Sequence, residues 1–305
     1  MIVVFGSINI DIALQVDALP QPGETVLGRS MLISPGGKGA NQAHAARLAG
    51  SEVRLFGCVG RDAFASTALS ELRAAGVKLG GIATVSEPTG CATIWLSKGG
   101  VSTIVVAPGA NWLADQRAVP DEVLSPDTML VLQQEVPPEQ NQQLVVRAKA
   151  RGARIILNAA PGSAVAPEIL SSIDFLVVNE VEIRQVADGL GAEDVADGEL
   201  PDWLAQRFGM TVMATYGAAG VICRTPSKTI RLPVQPIDPL DTTAAGDTFV
   251  GVLASCLDRL SSLESALDFA NRAAAICCTR SGAQKAQPTW AEIAGAKAEA
   301  DQVLS

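Results

Sequence analysis

The chain has 305 residues, of which 48% are hydrophobic, so it is long enough to bury the core of one large α/β domain or of two smaller domains. This composition excludes a disordered or fibrous protein. The formal net charge of -9 and the isoelectric point near 4.7 disfavour nucleic acid and anionic membranes as partners. A small anionic ligand stays open, because helix starts and backbone amides bind phosphate without a basic surface.

The opening run of the chain and its cysteines indicate the compartment. Residues 1–5 are apolar and are followed by Gly6, with no basic segment and no cleavage site typical of a signal peptide. No apolar stretch approaches the roughly 20 residues that span a bilayer. The six cysteines form no Cys-x-x-Cys pair, and His44 is the only histidine, so metal-ligand spacing is lacking. We therefore expect a cytoplasmic protein whose thiols are buried.

Apolar runs of strand length alternate with helical patterns along the chain. The runs are residues 2–6, 53–60, 128–135, 153–160, 174–180 and 211–217, and the helical patterns are residues 40–50, 65–76, 138–152 and 181–190. This alternation predicts an α/β fold, a mostly parallel central sheet with helices on both faces. Such sheets bind ligands beyond the carboxyl ends of their strands.

Two segments interrupt the alternation. Residues 12–34 alternate apolar and polar side chains around a Pro-Gly turn, and residues 90–107 are typical of a hairpin around SKGG. We expect them to form a small β-sheet lid over the ligand crevice. The predicted α/β domain then comprises residues 1–11, 35–89 and 108–305. In the lid, the side chains of Cys91, Thr93 and Trp95 either contact the ligand or pack the sheet.

A glycine-rich stretch, PGGKGANQAHAARLAG at residues 35–50, precedes a helix predicted to begin near Ala40. Glycines let a backbone approach a ligand closely, and the helix start offers free N–H groups. It is not a Walker A loop, because Lys38 is followed by Gly39 instead of Ser or Thr, and the dinucleotide fingerprint is also missing. The alternative is a tight turn before a packed helix.

Short polar side chains are expected near this stretch. They are Asn9, Asp11, Asn41 and Glu135. Amides and carboxylates suit a polyol, because each hydroxyl both donates and accepts a hydrogen bond. For any one of them alone, a cap or turn is an equal alternative. Together they favour a sugar.

The sequence DTTAAGDTF, residues 241–249, leads into an apolar helical pattern. Ala244, Ala245, Gly246 and Asp247 are predicted to form the first turn of this helix, with amides open to a phosphate. An aspartate there can accept a proton from an attacking hydroxyl while the amides stabilise the transferring phosphoryl group. The alternative is that Asp247 only caps the helix, which is worth about 1 kcal/mol.

These motifs together resemble the PfkB-type carbohydrate kinases. DTTAAGDTF is similar to the C-terminal signature of that family, and GSINID, PGGKGANQA, QQE, NEVE, TYGAAG and TRSGAQ follow in the family's order over nearly the whole chain. The resemblance implies an ATP-dependent kinase that phosphorylates the primary hydroxyl of a pentose, with O5 of D-ribose as the leading candidate. Alternatives are a kinase for a nucleoside, deoxyribose or fructose, a non-enzymatic sugar or nucleotide sensor, and a nicotinamide oxidoreductase.

The resemblance also implies roles for the matching residues. Asp247 matches the catalytic base, and Ala244, Ala245 and Gly246 match the anion hole at the γ-phosphate. The sugar-binding set is Asn9, Asp11, Gly37, Lys38, Asn41 and Glu135, together with Asp247. The ATP-binding set is Asn179, Glu182, Thr215, Gly217, Gly220 and Asn271, with Glu182 acting on Mg²⁺ through water.

A potassium site and a homodimer through the β lid are implied as well. The cation ligands are Asp241 and the carbonyls of Thr243, Cys277, Arg280 and Gly282; hard oxygen ligands suit such an ion. The chain departs from the family pattern at Tyr216, where leucine is common, and at Lys285 and Ala286, which replace Pro-Ser. The lost serine removes one candidate ligand of the cation.

Overall fold

A computed structural model describes residues 1–98, 102–234, 236–259 and 262–303, with side chains described up to residue 297. Within this part the chain forms thirteen strands: β1 (Ile2–Phe5), β2 (Asn9–Val16), β3 (Ser30–Gly36), β4 (Val53–Gly60), β5 (Lys78–Val85), β6 (Gly90–Ser97), β7 (Ser102–Ala107), β8 (Met129–Leu132), β9 (Arg154–Asn158), β10 (Phe175–Asn179), β11 (Thr211–Thr215), β12 (Val221–Arg224) and β13 (Thr229–Leu232). Residues 99–101, at the turn of the predicted hairpin, lie outside the described residues.

Nine strands form the main sheet in the order β13-β12-β11-β10-β9-β8-β1-β4-β5. The seven strands from β11 to β5 in this order pair in parallel, and β12 and β13 complete one edge in antiparallel fashion. The mostly parallel sheet and all six predicted strand positions are confirmed. The strands β5, β12 and β13 are not among the predicted runs, because they are short or, in β5, carry two glycines.

The helices are α1 (Lys38–Leu48), α2 (Ala63–Ala68), α3 (Ser70–Ala75), α4 (Pro138–Ala150), α5 (Pro167–Leu170), α6 (Glu180–Asp188), α7 (Leu200–Phe208), α8 (Ala245–Arg259), α9 (Leu263–Cys278) and α10 (Trp290–Val303). Two apolar clusters, one on each face of the sheet, form the core; α1, α8 and α9 pack on one face and α4 to α7 on the other. The helix predicted over residues 65–76 is two short helices, because the backbone breaks at Leu69. No helix of the described residues is both long and apolar enough to cross a bilayer.

The second, small sheet has the order β3-β2-β6-β7 and is present as predicted. Its strand β2 begins at Asn9, and three residues separate it from the end of β1. Asn9 and Asp11 therefore lie on the small sheet, at the point where it leaves the main one. That this sheet closes over a ligand as a lid stays a prediction.

Helices α1 and α8 approach each other closely beside the main sheet. A Cβ atom on Gly251 of α8 would lie 2.4 Å from the carbonyl oxygen of Gln42 on α1, so only glycine fits there. A Cβ atom on Gly39 would lie 2.6 Å from the backbone carbon of Gly6, which follows β1. These contacts bring the first turns of both helices together beyond the carboxyl end of β1.

Candidate active site

Asp247, in the first turn of α8, lies where the two helix starts meet. Its side chain is 7% exposed, and each carboxylate oxygen accepts one amide hydrogen bond. Nδ2 of Asn41 donates to Oδ2 and Nε2 of Gln42 donates to Oδ1, both at 3.0 Å. The side chain accepts these bonds from a different helix, instead of capping its own. The capping alternative therefore does not describe its contacts.

The turn before Asp247 has a strained backbone. Ala244 has φ 59°, the left-handed region, which costs about 1 kcal/mol or more for a residue with a Cβ. The amide of Ala245 donates to the carbonyl of Thr242 at 3.2 Å, so it is not free, in contrast to the prediction. The amides of Gly246 and Asp247 have no protein acceptor within the described part of the chain, and no atom lies within 4 Å of a Cβ built on Gly246. Two amides thus face open space at the positive end of α8.

A cleft of about 890 Å³ opens in front of this turn. Its walls contain every residue predicted to bind ATP, namely Asn179, Glu182, Thr215, Gly217, Gly220 and Asn271. Lys38 and Asp247 also line it, together with apolar side chains from Val177, Val234, Ile237 and Ala274. Such a cleft, apolar with a few converging polar groups, is typical of a small-molecule site.

Gly220 and Asn271 shape one wall of the cleft. Gly220 has φ 92°, and a Cβ there would lie 2.1 Å from the carbonyl oxygen of Leu232, so the turn between β11 and β12 requires glycine. Asn271 on α9 donates to the carbonyl of Pro233 at 3.0 Å, which ties α9 to the segment after β13.

Asn179 and Glu182 form a capping box at the start of α6. Oδ1 of Asn179 accepts the amides of Val181 and Glu182, and Oε2 of Glu182 accepts the amide of Asn179. The cap occupies one oxygen of each side chain, which leaves Nδ2 of Asn179 and Oε1 of Glu182 at the cleft. Burial raises the pKa of Glu182, outweighing the bond from Asn179 and the charge of Lys38.

A polar cluster lies where β2 and Glu135 meet the start of α1; its members are Asn9, Asp11, Lys38, Asn41 and Glu135. Oε2 of Glu135 accepts the hydroxyl of Ser7 at 2.5 Å and the amide of Lys38 at 3.1 Å. Burial, with the charges of Glu135 and Asp247, raises the pKa of Asp11 to about 7, although Lys38 opposes this. Burial lowers the pKa of Lys38, but the carboxylates of Asp247, Glu135, Glu182 and Asp11 outweigh it and the net shift is upward. Four acids therefore converge on one ammonium.

Asn9 is oriented by a residue that sequence reasoning missed, Asn111. Nδ2 of Asn111 donates to Oδ1 of Asn9 at 2.6 Å, while Oδ1 of Asn111 accepts the amide of Ile8 at 2.8 Å. Because Oδ1 of Asn9 is occupied, its Nδ2 is the group free to donate to a ligand. The only signal in the sequence is an asparagine in a Pro-Gly-Ala-Asn turn, which has no periodicity.

The backbone of Gly37 lies directly against the same polar cluster. Its φ is 88°, and a Cβ would lie 2.7 Å from the amide nitrogen of Asn9. At Gly36, a Cβ would lie 2.2 Å from either carboxylate oxygen of Asp11. Glycine at both positions lets the backbone approach these two side chains.

The side chains of Cys91, Thr93 and Trp95 lie on the other face of the small sheet from Asn9 and Asp11. In the parallel register Asn9 pairs with Gly90 and Asp11 with Ala92, and side chains of paired residues share a face. Of the two possibilities for these residues, the register favours packing of the sheet over contact with a ligand.

The residues of the predicted potassium site lie together next to the turn that precedes α8. The carboxylate of Asp241 accepts the amides of Thr243 and Gly282, each at 2.9 Å. Burial raises the pKa of Asp241, but these hydrogen bonds outweigh it and the net shift is downward. Sγ of Cys277 contacts the carbonyl oxygen of Thr243 at 3.7 Å, and the carbonyl of Cys277 accepts the amide of Arg280.

The oxygen ligands available here are one carboxylate and backbone carbonyls, at the negative end of α9. Such ligands fit a monovalent cation. No cluster of three or more His, Cys, Asp or Glu side chains suited to a metal occurs in the described residues. Ala286 is buried and contributes no ligand, and the exposed Lys285 lies 4.0 Å from Glu71.

The raised pKa of Asp11 makes stability depend on pH. Because its folded pKa is about 7 and its ordinary value is 3.8, the folded protein retains a proton that the unfolded chain loses between these values. Stability contributed by this group therefore falls as pH rises from 4 to 7, by at most roughly 4 kcal/mol. We expect Asp11→Asn to raise the Tm at pH 8 and to leave it unchanged at pH 4, as measured by thermal unfolding across this range. A gain that is equal at both pH values would contradict the assignment.

Comparison with known proteins identifies the family of the chain. The sequence matches the pfkB family carbohydrate kinases over residues 1–290. The fold and the site are those of a sugar kinase, and the chain belongs to the pfkB family. The ribokinase of Haemophilus influenzae is 36% identical to it over 296 residues, 95% of either chain.

Solved structures show the same architecture. The ribokinase of Thermotoga maritima superposes with a TM-score of 0.89 at 33% identity, covering 96% of this chain and 98% of that one. The ribokinase of Arabidopsis thaliana, solved in complex with ribose and ATP, superposes with a TM-score of 0.81 at 28% identity, covering 96% and 97%.

Proposed function

We propose that this protein is an ATP-dependent kinase that transfers the γ-phosphate of ATP to the primary hydroxyl of a pentose, D-ribose giving ribose 5-phosphate. The observation that carries the proposal is the position of Asp247. This carboxylate lines the cleft and accepts a hydrogen bond from Asn41 of the polar cluster, beside two open amides. The relatives named ribokinase, one of them solved with ribose and ATP, support the choice of ribose.

In this proposal the polar cluster binds the sugar. Asn9, Asp11, Gly37, Lys38, Asn41 and Glu135 form its hydrogen-bonding groups. The carboxylates accept from the sugar hydroxyls, and Nδ2 of Asn9 donates to a hydroxyl oxygen, so that adjacent hydroxyls are bound in a defined order. The neighbouring cleft takes ATP between Asn179, Thr215, Gly217, Gly220 and Asn271, with the γ-phosphate towards Gly246.

Asp247 acts as the general base. Its carboxylate accepts the proton of the primary hydroxyl while that oxygen bonds to the γ-phosphorus and the bond to the β,γ-bridging oxygen breaks, releasing ADP. The open amides of Gly246 and Asp247 stabilise the charge on the transferring group, and Lys38 adds a cation next to it. Closure of the small sheet excludes water, which would otherwise accept the phosphoryl group.

Two ions are part of the proposal. Glu182, acting through water, and Asn179 would hold Mg²⁺, which when bound neutralises charge on the phosphate oxygens. Asp241 with the carbonyls of Thr243, Cys277, Arg280 and Gly282 would hold K⁺ behind the turn. Ala244, in this turn, has a strained φ. A bound K⁺ that orders the turn would offset the free-energy cost of that strain.

A homodimer formed through the small sheet and a cytoplasmic location complete the proposal. The edge strands β3 and β7 expose Met31, Leu32, Ile104 and Val105, by 56% to 63% of their surface, and such apolar edges favour association. All six cysteines are free thiols, which suits a reducing compartment. Sedimentation velocity distinguishes a dimer from a monomer.

The experiment that tests the function is ADP release by the purified protein with Mg·ATP and a panel of ribose, deoxyribose, fructose and nucleosides. We expect ribose to give the highest kcat/KM. A nucleoside or fructose as the best substrate would contradict the choice of sugar but retain the kinase mechanism. No ADP release with any member of the panel would contradict the kinase proposal itself.

The cation site is tested by Asp241→Ala. The parent protein is expected to turn over ribose at least about tenfold faster in K⁺ than in Na⁺, because the ion orders the turn that binds the γ-phosphate. The variant loses the carboxylate that accepts the amides of Thr243 and Gly282, and should run at the Na⁺ rate in either salt. A variant that still responds to K⁺ would place the ion elsewhere.

A further inference from the structure

Gln42 is the residue after Asn41 on α1, and no role is assigned to it by the sequence motifs. Its side chain is completely buried and makes three hydrogen bonds. Nε2 donates to Oδ1 of Asp247 and to Oδ1 of Asn158, each at 3.0 Å, and Oε1 accepts from Nε2 of Gln133 at 2.8 Å. Both hydrogens of the amide are used, and its oxygen is bound.

The partners of Gln42 fix the orientation of its amide. Nε2 of Gln133 donates to Oε1 of Gln42, and Oδ1 of Asn158 accepts from its Nε2. If the amide of Gln42 were flipped, its Nε2 would face the donor of Gln133 and its Oε1 would face the oxygen of Asn158. Nε2 must therefore face Asp247. Neither glutamate nor methionine at position 42 can donate two hydrogen bonds and accept a third.

The chain of hydrogen-bonded amides ends on the central strands of the main sheet. Asn158 is the last residue of β9, and its Nδ2 donates to the carbonyl of Val177 on β10 at 3.1 Å. Gln133 follows β8 directly, and its carbonyl accepts Nδ2 of Asn141 on α4 at 2.6 Å. The three strands at the centre of the sheet thus connect to Asp247 through Gln42.

The two amides that bind Asp247 differ in what they face. Asn41, which binds Oδ2, belongs to the proposed sugar pocket and is bound in turn by Gln284, at 3.2 Å. Gln42, which binds Oδ1, is completely buried, and its other two partners are Asn158 at the end of β9 and Gln133 directly after β8. It is therefore the restraint on the carboxylate that a sugar does not disturb.

We propose that Gln42 is a positioning residue for phosphoryl transfer, which holds Oδ1 of Asp247 so that Oδ2 is the oxygen presented to the attacking hydroxyl. The proposal rests on the proposed function of Asp247 as the base. A carboxylate that rotates away from the line of attack loses rate steeply, since a displacement of about 1 Å costs roughly 100-fold. Gln42 acts on the rate through Asp247, not by touching the substrates.

The test is a double-mutant cycle with Gln42→Met and Asp247→Asn. Gln42→Met is expected to lower kcat about 30- to 100-fold, with the KM values for ribose and ATP changed less than about threefold. In the Asp247→Asn background the same change should have almost no further effect on kcat, because the group that it positions is already lost. A merely structural role would lower the rate equally in both backgrounds.

The matched control is Gln116→Met. Gln116 is also a buried glutamine, and its side chain bonds Gln143 and Arg147 on the opposite face of the sheet. We expect it to lose a similar amount of Tm and to keep the parental kcat. If Gln42→Met does not fold, Gln133→Met removes the donor that orients Gln42 and should lower kcat about three- to tenfold, again only with Asp247 present.

The outcomes separate this proposal from the one that it rests on. A parent protein that releases no ADP with any sugar contradicts the function, and with it the role of Gln42. An active parent with a Gln42→Met variant within about threefold of its kcat, or with effects that multiply in the cycle, contradicts only the positioning role.

Discussion

Asp247→Asn is expected to lower kcat by about three orders of magnitude, within the range of general base catalysis, while ATP still binds. An amide does not accept the proton of the sugar hydroxyl. Its Nδ2 also has to face one of the two donors that now bind the carboxylate, Asn41 or Gln42. We therefore expect a loss of about 1 to 3 kcal/mol in stability as well, more than loss of a helix cap alone.

The control for this variant is Asp174→Asn. Asp174 accepts the amide of Ile155 at 2.7 Å, at the end of the sheet opposite to the site, and asparagine retains an acceptor for that bond. Its kcat should equal that of the parent. Steady-state kinetics and calorimetric titration with ATP give the comparison, and an Asp247→Asn variant with near-normal turnover would refute the base.

Lys38→Met is the second large effect, and it is expected to lower kcat/KM about 100- to 1,000-fold. Lys38 is a cation in the lining of the cleft, and charged groups aimed at a transferring phosphoryl group contribute several kcal/mol to its stabilisation. The same ammonium opposes the rise in the pKa of Asp11. Its removal should therefore raise that pKa further and steepen the fall of Tm between pH 5 and pH 8.

The matched control is Lys149→Met, since Lys149 on α4 is half-exposed and lies 3.8 Å from Asp174. Kinetics and thermal unfolding at several pH values should not distinguish it from the parent. If Lys38→Met retained kcat/KM within about fivefold, or kept the parental dependence of Tm on pH, the cation would not act on the phosphoryl group or on Asp11.

Local chemistry explains which parts of the site the sequence predicts. Asp247 and Gly37 stand in short motifs whose meaning depends on a helix start and on backbone geometry, and both lie within the site. Gln42, Gln133 and Asn111 are buried amides whose partners lie about 90 to 200 residues away. No local pattern distinguishes such an amide from an exposed one, so only the fold reveals it.

The strands, too, differ in how well the sequence predicts them. Continuous apolar runs such as β1 and β8 are recognisable because both faces of a parallel sheet are covered. The strand β5 is half exposed and contains Gly80 and Gly81, so its periodicity is weak. That β2 begins at Asn9, and so carries Asn9 and Asp11 out of the main sheet, follows from pairing with β6 some 80 residues later.

The protein is expected to transfer the γ-phosphate to the primary hydroxyl of ribose. The most direct test is ³¹P NMR of the product formed from D-ribose and Mg·ATP, with ADP counted in the same sample. We expect one phosphomonoester for each ADP, with its signal split into a triplet by the two protons on C5. A doublet, which indicates phosphate on the anomeric or a secondary hydroxyl, or ADP that forms without ribose, would contradict it.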